Sequence, residues 1–215
     1  MLWSCDRTGF PVLELPDLGW AVHLFPVAKV QWERFLAEPG NFGDSWYEEV
    51  LHVSPRMSLR HAGRDEYEKL FLSGVLPDEV GAFARWLGQD FLLPTTEIWR
   101  SIYHYLSEEV MERGELDTLH NDPALHTNAL NLLDFIVRII KPRCWRDLTL
   151  MHGGLLEWVR SGPKSFGGLG APRQEFQPLL MNPQQHAPVK PLKNERLRYF
   201  GCRLVRPLTS GGSRP

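Results

Sequence analysis

The stretch from Glu79 to Tyr103, EVGAFARWLGQDFLLPTTEIWRSIY, decides how this chain is read. Its first half has Val80, Phe83, Ala84 and Leu87 on one helical face, and Gly88 closes the run. Pro94 suits a position just ahead of a second helix, and Thr95 or Thr96 can cap that helix with a side-chain oxygen. Glu97 then falls in the first turn, where a negative charge meets the helix dipole favourably. Ile98, Trp99, Ile102, Tyr103 and Leu106 recur at helical spacing, so their face should be buried. The spacing predicts one helix ending at Gly88 and another running from Pro94 to about Gly114.

Outward from this stretch the texture varies. Residues 1–19 read as irregular, punctuated by Gly9, Pro11, Pro16 and Gly19. Trp20 to Val27 reads as a strand, and AKVQWERFLAEPG as a short helix stopped by Pro39-Gly40. Residues 41–64 read as a long connection anchored by Trp46 and Tyr47. Residues 115–128 read as a polar loop. NALNLLDFIVRIIKP fits a buried helix or a strand pair, and periodicity does not choose between them. From Pro142 onward, short apolar pieces alternate with Gly, Pro and Asn, as loops and short strands would.

The whole chain narrows the function classes. Its 215 residues suit one domain, expected over 1–208, with 209–215 as a disordered tail. Apolar residues make up 43%, enough for a core, and eight Trp with eleven Phe favour one rich in aromatic stacking. A net charge of −2 makes nucleic acid a poor partner. No apolar run reaches the roughly 20 residues that span a bilayer, so no membrane association is expected. Three widely spaced cysteines (Cys5, Cys144 and Cys202) and the lack of a visible signal peptide lead us to expect a cytoplasmic protein.

Four blocks occur in an order that resembles one family. The opening stretch, through Ala82, Phe83, Trp86, Leu87, Leu93, Pro94, Thr95, Glu97 and Trp99, is similar to a segment of formylglycine-generating-enzyme-like (sulfatase-modifying-factor) domains. LTLMHGGLLEWV resembles that family's M-H-G-N-V-W-E-W-V block through Leu148, Met151, His152, Gly153, Glu157, Trp158 and Val159. YFGCRLVR resembles its closing G-F-R-L-V-R through Gly201, Arg203, Leu204, Val205 and Arg206, and FPVAKVQWERFLA its opening P-V-T-N block. The resemblance implies an irregular, loop-rich α+β fold related to the C-type lectin fold, with a Trp-rich core. It also implies that the Leu-Pro-Thr-Thr-Glu segment is chiefly architectural.

The family's oxidases hold copper(I) on a cysteine pair, and soft thiolates are what that ion requires. The matching stretch here, about 166–200, contains no cysteine, and Cys202 stands at a core position. Of the positions that resemble structural calcium ligands, two hold Gly154 and Leu150. Calcium needs about 6–8 hard oxygens, so no cofactor is expected; Glu157 is expected to make a buried hydrogen bond or an ion pair with an Arg such as Arg203. The resemblance therefore implies a non-catalytic module that binds a protein or ligand, with a protein partner expected. Stand-alone relatives of this kind point to a bacterial regulatory or defence setting. The candidate binding surface comprises Phe166, Phe176, Leu179, Leu180 and Met181 in the proline-rich 162–194 segment, with Asn121 and Asp122 in the polar loop. The competing reading is an enzyme with an unrecognised site, for example around His104, Glu108 and His120.

Overall fold

A computed structural model describes residues 1–40, 42–55, 57–63, 67–88, 90–151, 153–170, 187–191 and 195–208. The architecture is α+β. Strands β1 (Leu2–Cys5), β2 (Pro11–Leu15) and β3 (Trp20–His23) form an antiparallel meander, and the closing strand β7 (Val205–Pro207) pairs with β3, Val22 opposite Val205. A second, three-stranded sheet follows. Strand β4 (Leu156–Gly162) pairs antiparallel with β5 (Ser165–Gly170) and parallel with β6 (Phe200–Gly201). Seven helices lie among the described residues: α1 (Lys29–Leu36), α2 (Asp44–Val53), α3 (Pro77–Leu87), α4 (Thr96–Glu108), α5 (Arg113–His120), α6 (Thr127–Ile140) and α7 (Trp145–Thr149). None of them is long and apolar enough to cross a membrane.

Two apolar clusters share these elements, and strand alternation sorts side chains between them. Leu156 and Trp158 of β4 face a cluster with Trp32, Phe35, Phe83, Leu87 and Phe200. Leu155 and Val159 face another, with Trp99, Ile102, Leu106, Leu132, Ile136 and Trp145. Glu157 has the same parity as this second set and is buried. Its carboxylate accepts from Trp99 Nε1 at 2.7 Å and from Arg203 Nη2 at 2.8 Å and Nε at 3.0–3.1 Å. Arg203 is fully buried and spends its other donors on the carbonyls of His23, Leu24 and Thr149. All five of its N–H groups are thereby used. The pairing of Glu157 with Arg203 expected from the sequence is present.

The opening stretch connects both sheets. Leu92 exchanges two backbone hydrogen bonds with Val205 at 2.8 and 3.0 Å, and Arg160 N donates to Pro94 O at 2.9 Å. Thr95 Oγ1 then accepts from Ile98 N at 3.2 Å, making it the N-cap of α4. Trp99 and Trp158 are buried as core residues, and Trp158 Nε1 donates to Val75 O at 2.8 Å. Trp86 is only half-buried; it packs on Phe35 and Phe83 with the Arg7 guanidinium over its ring.

Several expectations need correction. Residues 1–19 are not irregular: they hold the β1–β2 hairpin, whose turn is organised by buried Asp6 accepting from Thr8 N, Thr8 Oγ1 and Phe10 N. Gln31 Nε2 of α1 donates to the other Asp6 oxygen at 2.9 Å. Burial would raise the Asp6 pKa, but His23, Thr8 and Phe10 outweigh it and hold the carboxyl below its ordinary value. The 41–64 connection contains α2, which buries only Val50 and so shows little apolar period; Trp46 and Tyr47 do anchor it, on Glu79 and Glu33. Helix α4 stops at Glu108 rather than near Gly114, where Val110 bridges to Cys144. The polar 115–128 segment begins as α5, a helix with one buried residue, Leu119. The ambiguous apolar run is the single helix α6.

Two stability experiments follow. Glu157→Leu should cost about 3–5 kcal/mol in urea unfolding by leaving Arg203 buried without its counter-charge, and adding Arg203→Met should recover part of the loss. Additive losses would show that the two residues act independently. Trp99→Ala and Trp158→Ala should each cost about 3–5 kcal/mol. Trp86→Ala should cost visibly less, and an equal cost would contradict its half-buried position.

Candidate functional site

A cleft of about 660 Å³ opens between α1, the end of α2, the turn Tyr67–Leu70, the loop before β4 and residues 196–199. Lys29 enters as the first residue of α1. Its ammonium donates to Lys69 O at 2.7 Å and to Pro55 O, which fixes it across the cleft floor. Burial pushes the Lys29 pKa down to about 8; Glu33 opposes the shift and the Lys69 charge adds to it. Ser54 and Ser73 are buried in the wall, where Ser73 Oγ donates to Ser54 Oγ at 2.9 Å.

The far wall depends on Arg196. Its guanidinium forks onto Glu79 at 2.6 and 2.8 Å, reaches Gly74 O at 3.1 Å and Glu49 at 3.4 Å, and lies 5.6 Å from the Trp46 ring centre. Hydrogen bonding to Glu79 is the main cause of its raised pKa. Glu79 is held in turn by Trp46 Nε1 at 2.6 Å and by the Leu76 N–H at 2.7 Å. This network ties Leu197, Arg198 and Tyr199 to α2 and α3. Gly154 sits opposite at a φ of +140°, a conformation open to glycine, with the Tyr67 ring 3.5 Å from where a Cβ would lie. Tyr67 Oη donates to Gly153 O at 2.9 Å, so a carbonyl beside the position resembling a calcium ligand is already engaged.

The residues expected from sequence lie elsewhere. Phe166 is half-buried on β5, opposite Arg160, and packs on the core cluster that includes Trp158 and Phe200. Phe176, Leu179, Leu180 and Met181 lie outside the described residues, as do His152 and the 209–215 tail. Asn121 and Asp122 line a separate hollow with Trp3, Asp117, Thr118 and Pro123. Their polar atoms are engaged within the chain: Asp122 accepts from Trp3 Nε1 of β1 and from Ala124 N, and Asn121 Nδ2 donates to Asp117 O. His104 meets Glu108 at 3.5 Å one turn away on the exposed face of α4, whereas His120 meets Asp134 of α6 at 2.9 Å. Cys5, Cys144 and Cys202 are all free thiols. Burial, then the Glu157 charge, pushes the Cys202 thiol far up. Among the described residues, no three His, Cys, Asp or Glu side chains are grouped to hold a metal.

Sequence reasoning missed the cleft residues because they come from five separate segments. The one local signal was the R-L-R run at 196–198 beside the closing block. No protein-family model matches the chain, and no curated protein matches it.

The half-buried Lys29 ammonium has a pH signature. Between about pH 8 and 10.5 the unfolded chain holds a proton on Lys29 that the folded chain tends to release, so this group makes stability rise with pH in that window. Wild type should therefore gain about 1–3 kcal/mol relative to Lys29→Met across it, from ~1.4 kcal/mol per pKa unit reduced for partial exposure. Parallel pH curves for the two proteins in urea unfolding would show that the ammonium is well solvated.

Proposed function

We propose that this chain is a non-catalytic binding module, on a scaffold of the formylglycine-generating-enzyme-like type, that holds a small ligand or a group presented by a partner protein in the Lys29–Arg196 cleft. The observation that carries this reading is the state of the cleft's donors. Lys29 is fixed by two carbonyls and Arg196 by two carboxylates, and the serines bond to each other. Such fixed donors recognise a ligand at low ordering cost. They do not form a nucleophile with an adjacent base, the pairing that covalent chemistry requires.

The groups nearest the family's characteristic chemistry are otherwise occupied. Glu157 is neutralised by Arg203 and bonded to Trp99. Cys202 is packed inside a core cluster. The relation to the C-type lectin fold, the cytoplasmic setting and a bacterial regulatory or defence role belong to the same proposal, and the resemblance of the four sequence blocks supports them.

The test separates binding from turnover. The protein is dialysed against a small-molecule extract and, separately, used to capture proteins. His52→Trp serves as the comparison, because His52 is exposed and lines the cleft, so the larger ring narrows it without changing α2. Wild type should retain a compound or protein unchanged, and the variant should lose it. Appearance of a converted product, or of an aldehyde on a cysteine peptide supplied with copper, would make the chain an enzyme. Retention of nothing that depends on the cleft would overturn the proposal.

A further inference from the structure

We propose that a second pocket, beside α6, binds a small neutral molecule with a compact apolar body and one hydrogen-bonding group. The pocket lies between the start of α1, the 57–59 segment, Leu70 and the first turns of α6. Its volume of about 320 Å³ is at the lower end of the roughly 300–1,000 Å³ of small-molecule sites. Lys29 lines both this pocket and the cleft, but the other cleft donors do not reach here.

The walls call for an apolar body. Ala28, Leu70 and Leu132 at its base are buried core residues. Val30, Met57 and Leu59 pack on the same core cluster but are only half-buried, so they keep apolar surface for an occupant to cover. Covering such surface is favourable whatever the occupant's exact shape, and the unbranched Met57 can adjust to it.

The polar groups call for a neutral one. Among the described residues that line the pocket, Lys29 and Glu33 alone are ionic, and they are opposite charges one turn apart on α1. Both are engaged: the Lys29 ammonium donates to Pro55 O and Lys69 O, and Glu33 accepts from Tyr47 Oη at 2.8 Å. A charged ligand would lose water here without finding a free counter-charge. Ser58 Oγ is paired with His61 Nδ1 at 2.8 Å. Asn128 differs. Its backbone N–H donates to His126 Nδ1, but its side-chain amide has no partner among the described residues. It stands one turn before Leu132 on the same face of α6. An amide both donates and accepts, so it can meet a hydroxyl or a carbonyl on the ligand.

The Met57 methyl group is a reporter inside the pocket. The whole chain, labelled at its five methionine methyls, is titrated at neutral pH with benzyl alcohol, toluene, benzylamine and benzoate and followed by NMR, with Met57→Leu assigning the signal. Benzyl alcohol should shift the Met57 methyl saturably and bind about three- to tenfold more tightly than toluene, the worth of one hydrogen bond. Benzylamine and benzoate should not bind. Asn128→Leu should bring the alcohol and toluene to equal affinity, and Val30→Trp, which fills the pocket from α1, should abolish binding of both. If Val30→Trp fails to fold, Asn128→Leu and the probe series still decide. No saturable shift, a charged probe binding as tightly as the alcohol, or an unchanged preference in Asn128→Leu would overturn the inference. So would tighter binding of N-acetyl-phenylalanine amide than of the alcohol, which would make the pocket a socket for a partner's side chain. The binding-module reading is tested in the cleft through His52→Trp, so either can fail without the other.

Discussion

The Arg203–Glu157 pair is the contact on which the rest of the molecule depends. Two charges removed from water are costly, and the cost is recovered only when every donor and lone pair is matched. Here Arg203 uses all five N–H groups, on the Glu157 carboxylate and on the carbonyls of His23, Leu24 and Thr149. One side chain thereby joins β3, the end of α7, β4 and the segment between β6 and β7. Trp99 adds α4 to the same carboxylate. Shifting any of these elements would strand a buried charge, so the pair specifies an arrangement as well as contributing to its stability.

That constraint also sets the cleft. Leu155 lies two residues before Glu157, and Arg198 and Tyr199 lie just ahead of the β6–Arg203 segment. With β4 and β6 paired in parallel, Leu156 opposite Phe200, the two chain segments that enter the sheet must run alongside each other. They form one side of the cleft. The other side comes from α1, α2 and the Tyr67–Leu70 turn; the second network, Arg196–Glu79–Trp46, holds α2, and Lys29 joins α1 to the turn through Lys69 O. One buried network thus organises the core, and a half-exposed one shapes the opening. Glu157 is used in the former, and the cleft residues gather around the latter.

Local patterns were enough wherever an element is amphipathic or capped by its own residues. The α3 face of Val80, Phe83, Ala84 and Leu87, the Thr95 cap of α4 and the Trp99 stripe were legible because helical period and capping chemistry are local. The Glu157–Arg203 pairing was legible for another reason: a Glu among apolar neighbours requires a buried counter-charge. Elements with little buried surface were not legible. Helices α2 and α5 each bury one residue, and β1 pairs at the edge of its sheet through backbone bonds that leave little trace in side-chain pattern.

The sequence by itself therefore determined the apolar faces of α3 and α4, the buried tryptophan at 99 and a 166–200 stretch without cysteine, whereas the α+β class was implied by the resemblance of the four sequence blocks. The helical faces and the buried tryptophan follow from residue type and spacing within a few turns of chain. Only the tertiary structure decided that α6 is a helix, that the chain's first residues form a hairpin whose sheet its closing strand completes, and that Lys29, Ser54, Lys69 and Arg196 share one cleft. Those residues are separated by up to 167 positions (196 − 29), and none has a local period to mark it. Their meeting is a consequence of the parallel β4–β6 pairing and the two ion-pair networks. Long-range contacts of that kind are set by which buried charges and strand edges find their partners, and that is settled only when the whole chain has packed.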